Sequence, residues 1–143
     1  MAYSDKDLVS NSHGKEYESQ SKVRVHSIDE LKRGDHIAFP RLWGAFWHHA
    51  IVEDVDTERR EFQVIEYNNN DGKPGFLGIV PIAEVVRNKY TFQVHTVYRT
   101  IHGQCFDPET VVLRARSRLG EKKFNPFTNN SKHFALWCKR PDF

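Results

Sequence analysis

A chain of 143 residues is long enough to bury one substantial hydrophobic core and short enough to form a single domain. Its hydrophobic content of 38% and aromatic content of 13% exclude a protein that is disordered throughout. With 21 basic and 19 acidic residues the formal charge is only +2, which argues against a nucleic-acid partner and allows weak attraction to anionic lipid.

Cysteine content and hydropathy limit the cellular setting. The two cysteines, Cys105 and Cys138, are too few for a disulfide framework, and no secretory signal opens the chain. No apolar run approaches the about 18 residues that a membrane span needs. Neither zinc-ligand spacing nor a glycine-rich phosphate loop is present, so we expect no metal and no cofactor. We therefore expect a cytoplasmic protein that meets membranes only from the surface.

The first 24 residues are polar and rich in serine, lysine and glutamate. This composition predicts a flexible N-terminal arm over residues 1–24, followed by one domain over residues 25–143. Ser27 and Glu30 have the spacing of a capping box, which predicts a short helical turn ending at Gly34.

Three large aromatic residues, Trp43, Phe46 and Trp47, follow a first predicted strand over residues 35–39. Such side chains can simply fold over the core of a domain. They can also form an apolar lip that enters lipid or closes a hydrophobic pocket, because tryptophan suits the membrane interface. The second interpretation makes all three candidate lipid-facing residues.

Two apolar segments, residues 48–55 and 62–67, flank a short charged turn. The pattern predicts an antiparallel hairpin. Counting outward from the turn places Glu66 opposite His48 or Ala50, within about two residues of register. If His48 pairs with Glu66, both side chains point to the same face of the sheet. Such a pair is an ordinary polar contact in most sheets, and it is also the contact that a catalytic base needs.

A long loop over residues 68–78 is rich in asparagine and glycine. Two further strands are predicted after it, over residues 78–86 and 90–99, because these segments are rich in β-branched and aromatic residues. This gives a sheet of about five strands.

A helix is predicted to begin at Pro108, with Asp107 as its cap, and to stop at Gly120. Its basic residues form no continuous stripe, so we predict a solvated face for them; they are Arg114, Arg116 and Arg118.

A second helix is predicted over residues 131–139, capped by Asn129 or Asn130. Phe134 and Trp137 lie on its apolar face, and Ser131 lies in its first turn, where free backbone N–H groups and the helix dipole favour a nucleophile. Most serines at this position are caps or solvated polar groups. Strands followed by two helices indicate an α+β protein with an antiparallel sheet.

Four segments together carry a family resemblance. They are Leu31–Ile37, Phe46–Val52, Val112–Gly120 and Asn130–Lys139. In this order they resemble the lecithin retinol acyltransferase (LRAT) domain family, which is similar to circularly permuted NlpC-type, papain-like thiol hydrolases. The resemblance implies a cysteine thiolate that attacks a phospholipid ester, forms a thioester and passes the acyl group to an amine, an alcohol or water.

The resemblance also implies roles for individual positions. The catalytic histidine of the family falls on His48, and the nucleophilic cysteine position holds Ser131. The acidic residue after the nucleophile is replaced by Lys132, and a second histidine, which orients the first, falls on Glu66. A serine hydroxyl is a far weaker acid than a thiol, so this substitution bears directly on activity.

Three hypotheses follow for the function. The domain is impaired as an enzyme and acts as a lipid-binding or regulatory module, that is, a pseudoenzyme. Alternatively, Ser131 is a laboratory replacement of the nucleophilic cysteine, and the natural protein is an active thiol acyltransferase or phospholipase A. In the third hypothesis, Ser131, His48 and Glu66 form an active serine triad. Each hypothesis predicts a phospholipid or another acyl lipid as the ligand, with membrane surfaces as a partner.

Overall fold

A computed structural model of the chain describes residues 8–9, 21–41, 44, 46–69, 83–94 and 96–143. Within them, seven antiparallel strands form one sheet in the order β1-β2-β7-β3-β4-β5-β6. The strands are β1 Leu8–Val9, β2 Lys22–Arg24, β3 His36–Arg41, β4 Phe46–Asp56, β5 Glu61–Asn68, β6 Glu84–Thr91 and β7 Tyr98–Thr100. The helices are a 3-10 turn Ile28–Glu30, α1 Pro108–Ser117 and α2 Ser131–Lys139. The predicted α+β class is confirmed, with more strands than expected.

The sheet extends into the segment predicted as an N-terminal arm. Strand β2 pairs with β7, with Lys22 opposite Thr100, and β1 pairs with β2. The side chain of Val23 is buried in this pairing. Val23 and Val25 are both buried and alternate with Lys22 and Arg24, but an alternation over four residues is at the lower limit of a strand signal, and the strand was not predicted.

The predicted hairpin of β4 and β5 is confirmed, and its register is set by Ile51 opposite Ile65. A bulge between Val52 and Asp54 shifts the register toward the turn. Away from the turn the two strands separate, and the described residues show no pairing between β4 and β5 beyond Ile51. There β4 stays paired with β3, and β5 stays paired with β6. This separation opens the sheet at the candidate site.

The two strands predicted after the long loop have different bounds in the structure. Residues 87–89, predicted as a break, lie inside β6, and β7 begins only at Tyr98. Polar residues are accommodated in β6 because their partners are buried carboxylates: Arg87 binds Glu53, and Asn88 binds Glu66. Residues 70–82 lie outside the described part, as does the predicted lipid-facing residue Trp43.

Hydrophobic clusters cover both faces of the sheet because successive residues of a strand point to opposite sides. On β4, Ala50 and Val52 face one cluster and Ile51 faces the other. The helices α1 and α2 pack on the Ile51 face, whose cluster also contains Ile65, Val111, Ala115, Phe134, Ala135 and Cys138. None of the helices in the described residues is long and apolar enough to cross a membrane.

The capping signals correctly located the starts of the short elements. Their predicted ends were wrong: the turn predicted to end at Gly34 ends at Glu30, because Leu31 is already extended, and α1 ends at Ser117, before Gly120. The capping box of Ser27 and Glu30 is formed, and Asp107 caps α1 through the N–H of Thr110. The prediction of a solvated arginine face on α1 is wrong for Arg114 and Arg118, which are partly buried, whereas Arg116 is exposed. All three bind neighbouring elements: Arg114 donates to the carbonyl of Trp137, Arg116 pairs with Glu53 at 2.6 Å, and Arg118 pairs with Glu121 at 2.6 Å.

Candidate functional site

The first turn of α2 carries the predicted nucleophile position. Asn130 caps the helix: its side chain accepts from the N–H of His133, and its own N–H donates to Nδ1 of that histidine at 3.3 Å. Ser131 is the first helical residue, and its Oγ accepts a hydrogen bond from the N–H of His49 at 3.2 Å. The helix start is therefore attached directly to β4, at the point where β4 has separated from β5.

His48 and Glu66 form the second part of the site. Nε2 of His48 lies 2.8 Å from Oε1 of Glu66. The Glu66 side chain is fully buried, and its Oε2 accepts from Asn68, Asn88 and Tyr90 at 2.8, 2.6 and 2.6 Å. Extending the register of Ile51 opposite Ile65 places His48 diagonally across from Glu66 and on the same face, so the two side chains meet where the strands have separated.

The surroundings of Glu66 favour its ionised form. Burial raises the pKa of this carboxyl group, but the hydrogen bond and charge of His48 and the hydrogen bonds of Tyr90 and Asn88 outweigh burial, so the pKa is lowered. Burial, followed by the charge of Glu66, raises the pKa of Tyr90, which stays a neutral donor. A carboxylate in this position can hold the imidazole ring and stabilise an imidazolium if one forms.

The three predicted catalytic positions are only partly connected. Ser131 and His48 border the same cavity. Among the hydrogen bonds of the described residues, however, none joins Oγ of Ser131 to the ring of His48. Because Nε2 is engaged by Glu66, Nδ1 is the ring nitrogen that could accept a proton from the hydroxyl. Nucleophile–base contacts are often long before substrate binds, so this geometry is compatible with both activity and inactivity.

The cavity beside Ser131 has a volume of about 590 Å³, within the usual range for small-ligand sites. Its walls contain the predicted lipid-facing residues Phe46 and Trp47, of which Phe46 is 52% exposed. Trp47 packs its ring edge-on against Tyr98 at 5.1 Å. The other lining residues are Lys22, His48, His49, Tyr67, Asn68, Asn69, Ala83, Phe124, Pro126, Asn130 and Lys132. The cavity therefore combines apolar walls with a few polar groups near Ser131.

A chain of three histidines lies behind the cavity, and sequence reasoning assigned it no role. Nδ1 of His49 lies 2.8 Å from Nε2 of His36, whose Nδ1 lies 2.9 Å from Nε2 of His102. Burial is the main cause that lowers their pKa values, well below 6.5 for His36 and His49 and to about 3 for His102. The described residues contain no group arranged to hold a metal ion. The chain therefore consists of neutral rings hydrogen-bonded to each other.

The two cysteines do not supply an alternative nucleophile at the cavity. Cys138 is fully buried in the core under α2, and burial raises the pKa of its thiol to about 12. Cys138 is therefore a small residue of the core. Cys105 is exposed and does not line the cavity.

Comparison with known proteins agrees with this architecture. The family model described as lecithin retinol acyltransferase matches residues 29–142, a range that contains β3 to β7 and both α-helices. Neither the curated proteins nor the solved structures that were compared with the chain give a match. Because the family model spans most of the sequence and all three predicted catalytic positions, the chain belongs to the lecithin retinol acyltransferase family.

Proposed function

We propose that this protein binds an acyl lipid in the cavity and transfers its acyl group, with Ser131 as the nucleophile and the His48–Glu66 pair as the general base. The observation that carries the proposal is the buried, ionised Glu66, whose carboxylate lies 2.8 Å from the ring of His48. Membership of the family supports an acyltransferase or phospholipase type of reaction. The apolar walls of the cavity fit an acyl chain.

The carboxylate is relevant because a serine nucleophile depends more strongly on a general base than a cysteine nucleophile does. A thiol with a pKa near 8.5 can ionise before it attacks, whereas a serine hydroxyl must lose its proton during the attack. An anionic partner stabilises the imidazolium that this proton transfer creates. The family pattern has a cysteine where this chain has Ser131 and a histidine where it has Glu66. In this proposal the carboxylate of Glu66 compensates for the weaker acidity of the Ser131 hydroxyl.

The reaction proceeds in two steps. Nδ1 of His48 accepts the proton of Ser131 as Oγ bonds to the ester carbonyl carbon, and the positive end of the α2 dipole stabilises the oxyanion. The ester C–O bond then breaks, and His48 returns the proton to the leaving alcohol. Water or another acceptor repeats the sequence on the acyl-serine, which releases the acyl group and restores the hydroxyl.

A second candidate function is lipid binding without turnover. It is favoured by one observation: Oγ of Ser131 is held by the N–H of His49 and not by the ring of His48. In this case the protein keeps the cavity of an acyl-transfer domain and uses it to hold or present a lipid.

One experiment separates these functions. The parent protein and its Ser131→Cys and Ser131→Ala variants are incubated with phosphatidylcholine that carries a labelled acyl chain, and released or transferred label is measured. We expect activity in the parent and a loss of at least about 10³-fold in Ser131→Ala. Activity in Ser131→Cys alone would identify a cysteine-type site in which serine is the disabling change. Inactivity of all three, together with retained lipid binding, would establish the binding function.

A further inference from the structure

Two lysines from distant parts of the chain line the cavity. Lys22 comes from β2, before the start of the family match, and Lys132 is the second residue of α2. Lys22 is only 5% exposed, and its ammonium lies 5.0 Å from the ring centroid of Trp47. A lysine this deeply buried is uncommon unless a partner compensates its charge.

The described residues supply no compensating carboxylate at this point. None of the described residues that line the cavity is acidic, and none of the salt bridges between described residues involves Lys22. Glu66 directly precedes the lining residue Tyr67 and has a buried carboxylate. That carboxylate already accepts hydrogen bonds from His48 and three other donors, and none of these is Lys22.

The two lysines also oppose each other. Burial is the larger cause that lowers the pKa of Lys22, and the positive charge of Lys132 lowers it further. The start of α2 adds the positive end of a helix dipole on the same side of the cavity. An anion placed among these groups would relieve the repulsion and replace the lost hydration of Lys22.

The geometry points to an acyl lipid with an anionic headgroup as the ligand, with its phosphate or carboxylate held between Lys22 and Lys132 and its acyl chain along Trp47 and Phe124. This inference rests on the proposed function, because it specifies the substrate class of the same cavity. The apolar walls distinguish the ligand from a free inorganic anion. The two lysines and the start of α2 favour a net anionic headgroup over a zwitterionic one such as that of phosphatidylcholine, whose quaternary ammonium would lie among positive charges.

The test measures binding separately from turnover. In a Ser131→Ala background, calorimetry compares dihexanoyl phosphatidic acid with dihexanoyl phosphatidylcholine, both kept monomeric so that no membrane surface contributes. We expect the anionic lipid to bind roughly tenfold more tightly, the effect of one charge-assisted hydrogen bond. Lys132→Glu, which should not disturb the helix because acidic residues suit its first turn, is expected to abolish this preference.

A matched control is Lys89→Gln, which removes an exposed lysine of β6 and should keep the preference. Equal binding of the two lipids, or an equal loss in Lys89→Gln, would overturn the inference. Inorganic phosphate is titrated as a competitor: displacement at the affinity of the lipid itself would mean a free-anion site, and it would also overturn the inference. Absence of turnover with the preference intact would contradict only the proposed acyl transfer. Melting temperatures of all variants verify that they are folded.

Discussion

The Glu66 side chain accepts hydrogen bonds from four side chains although it is completely buried. One oxygen serves His48, and the other serves Asn68, Asn88 and Tyr90. This division means that the charge and the orientation of the carboxylate can be altered separately. The role of Glu66 in the proposed reaction can therefore be tested by two substitutions that differ in what they remove.

We predict that Glu66→Gln lowers kcat for acyl release by about 10³- to 10⁴-fold, because the neutral amide no longer stabilises an imidazolium at His48. The dissociation constant for the lipid should stay nearly unchanged, since Glu66 does not line the cavity. Tyr90→Phe is the matched control: it removes one hydrogen bond to Oε2 and keeps the charge, so we expect a loss of tenfold or less. Steady-state kinetics measure both, and an equal loss in the two variants would contradict a charge-based role.

Among the secondary-structure elements, two glycines with nearly equal backbone angles differ in their surroundings. Gly34 has φ +89° and Gly120 has φ +88°. A Cβ atom on Gly34 would lie 2.8 Å from Cα of Pro108, whereas one on Gly120 would meet nothing within 4 Å. Gly34 therefore allows α1 to begin close to the strand β3, and Gly120 only ends a turn.

We predict that Gly120→Ala lowers the free energy of unfolding by about 1–2 kcal/mol, the usual cost of a left-handed backbone for a residue with a side chain. Gly34→Ala should lower the free energy of unfolding by about 1–3 kcal/mol more than Gly120→Ala does, because the added methyl group overlaps the backbone at the start of α1. Urea unfolding measures both values. Equal losses would mean that α1 shifts freely away from Gly34.

A second contact between elements centres on Glu53, at the bulge of β4. Its carboxylate binds Arg87 of β6 at 2.8 Å, Arg116 of α1 at 2.6 Å and Gln63 of β5 at 2.8 Å. Burial raises the pKa of Glu53, but these hydrogen bonds outweigh it and lower the pKa to about 2. The sequence showed two adjacent acidic residues in a strand, Glu53 and Asp54, and only the fold brings the partners of Glu53 together.

We predict that Glu53→Ala lowers the free energy of unfolding by about 2 kcal/mol at pH 7, between the values for exposed and fully buried ion pairs, because both arginines are partly exposed. Since the folded pKa lies below 4.5, this contribution is present above pH 4.5 and is lost as the pH falls toward 2. The difference between parent and variant should shrink over that range. Glu109→Ala, which removes the exposed partner of Arg33, should change stability little at any pH.

At the level of the whole molecule, the histidine chain links β3, β4 and the segment after β7 through the sheet. His36 and His49 are buried, and all three rings have pKa values below 6.5. The unfolded chain therefore binds more protons than the folded chain below pH 6.5. Stability is fully present above that pH and decreases as the pH falls.

We predict that the melting temperature drops between pH 7 and pH 5, where each histidine that stays neutral in the folded state costs about 2 kcal/mol. The carboxylates Glu53 and Glu66 keep their stabilising contributions down to pH 4.5 and lose them only below it, so the two effects occupy different pH ranges. His102→Gln should flatten the dependence by removing one of the titrating groups. A melting temperature that is constant between pH 7 and pH 5 would show that the rings accept protons without unfolding.

Signals within a few residues determined much of this protein from the sequence alone. The cap at Asn130, the Asp107-Pro108 helix start and the charged hairpin turn depend on local hydrogen bonds and backbone preferences, and the structure has all three. The order of the motifs was enough to indicate the family. The positions of His48 and Ser131 followed from that order.

Only the tertiary structure decided how distant residues meet. It placed Lys22 in the cavity, joined His36 to His102, and gave the arginines of α1 their partners. It also attached Ser131 to the backbone of His49, 82 positions away in the chain. These contacts depend on strand order, on the separation of β4 from β5 and on the packing of α2. Each depends on pairing between segments far apart in sequence, for which a single sequence has no periodic or capping signal.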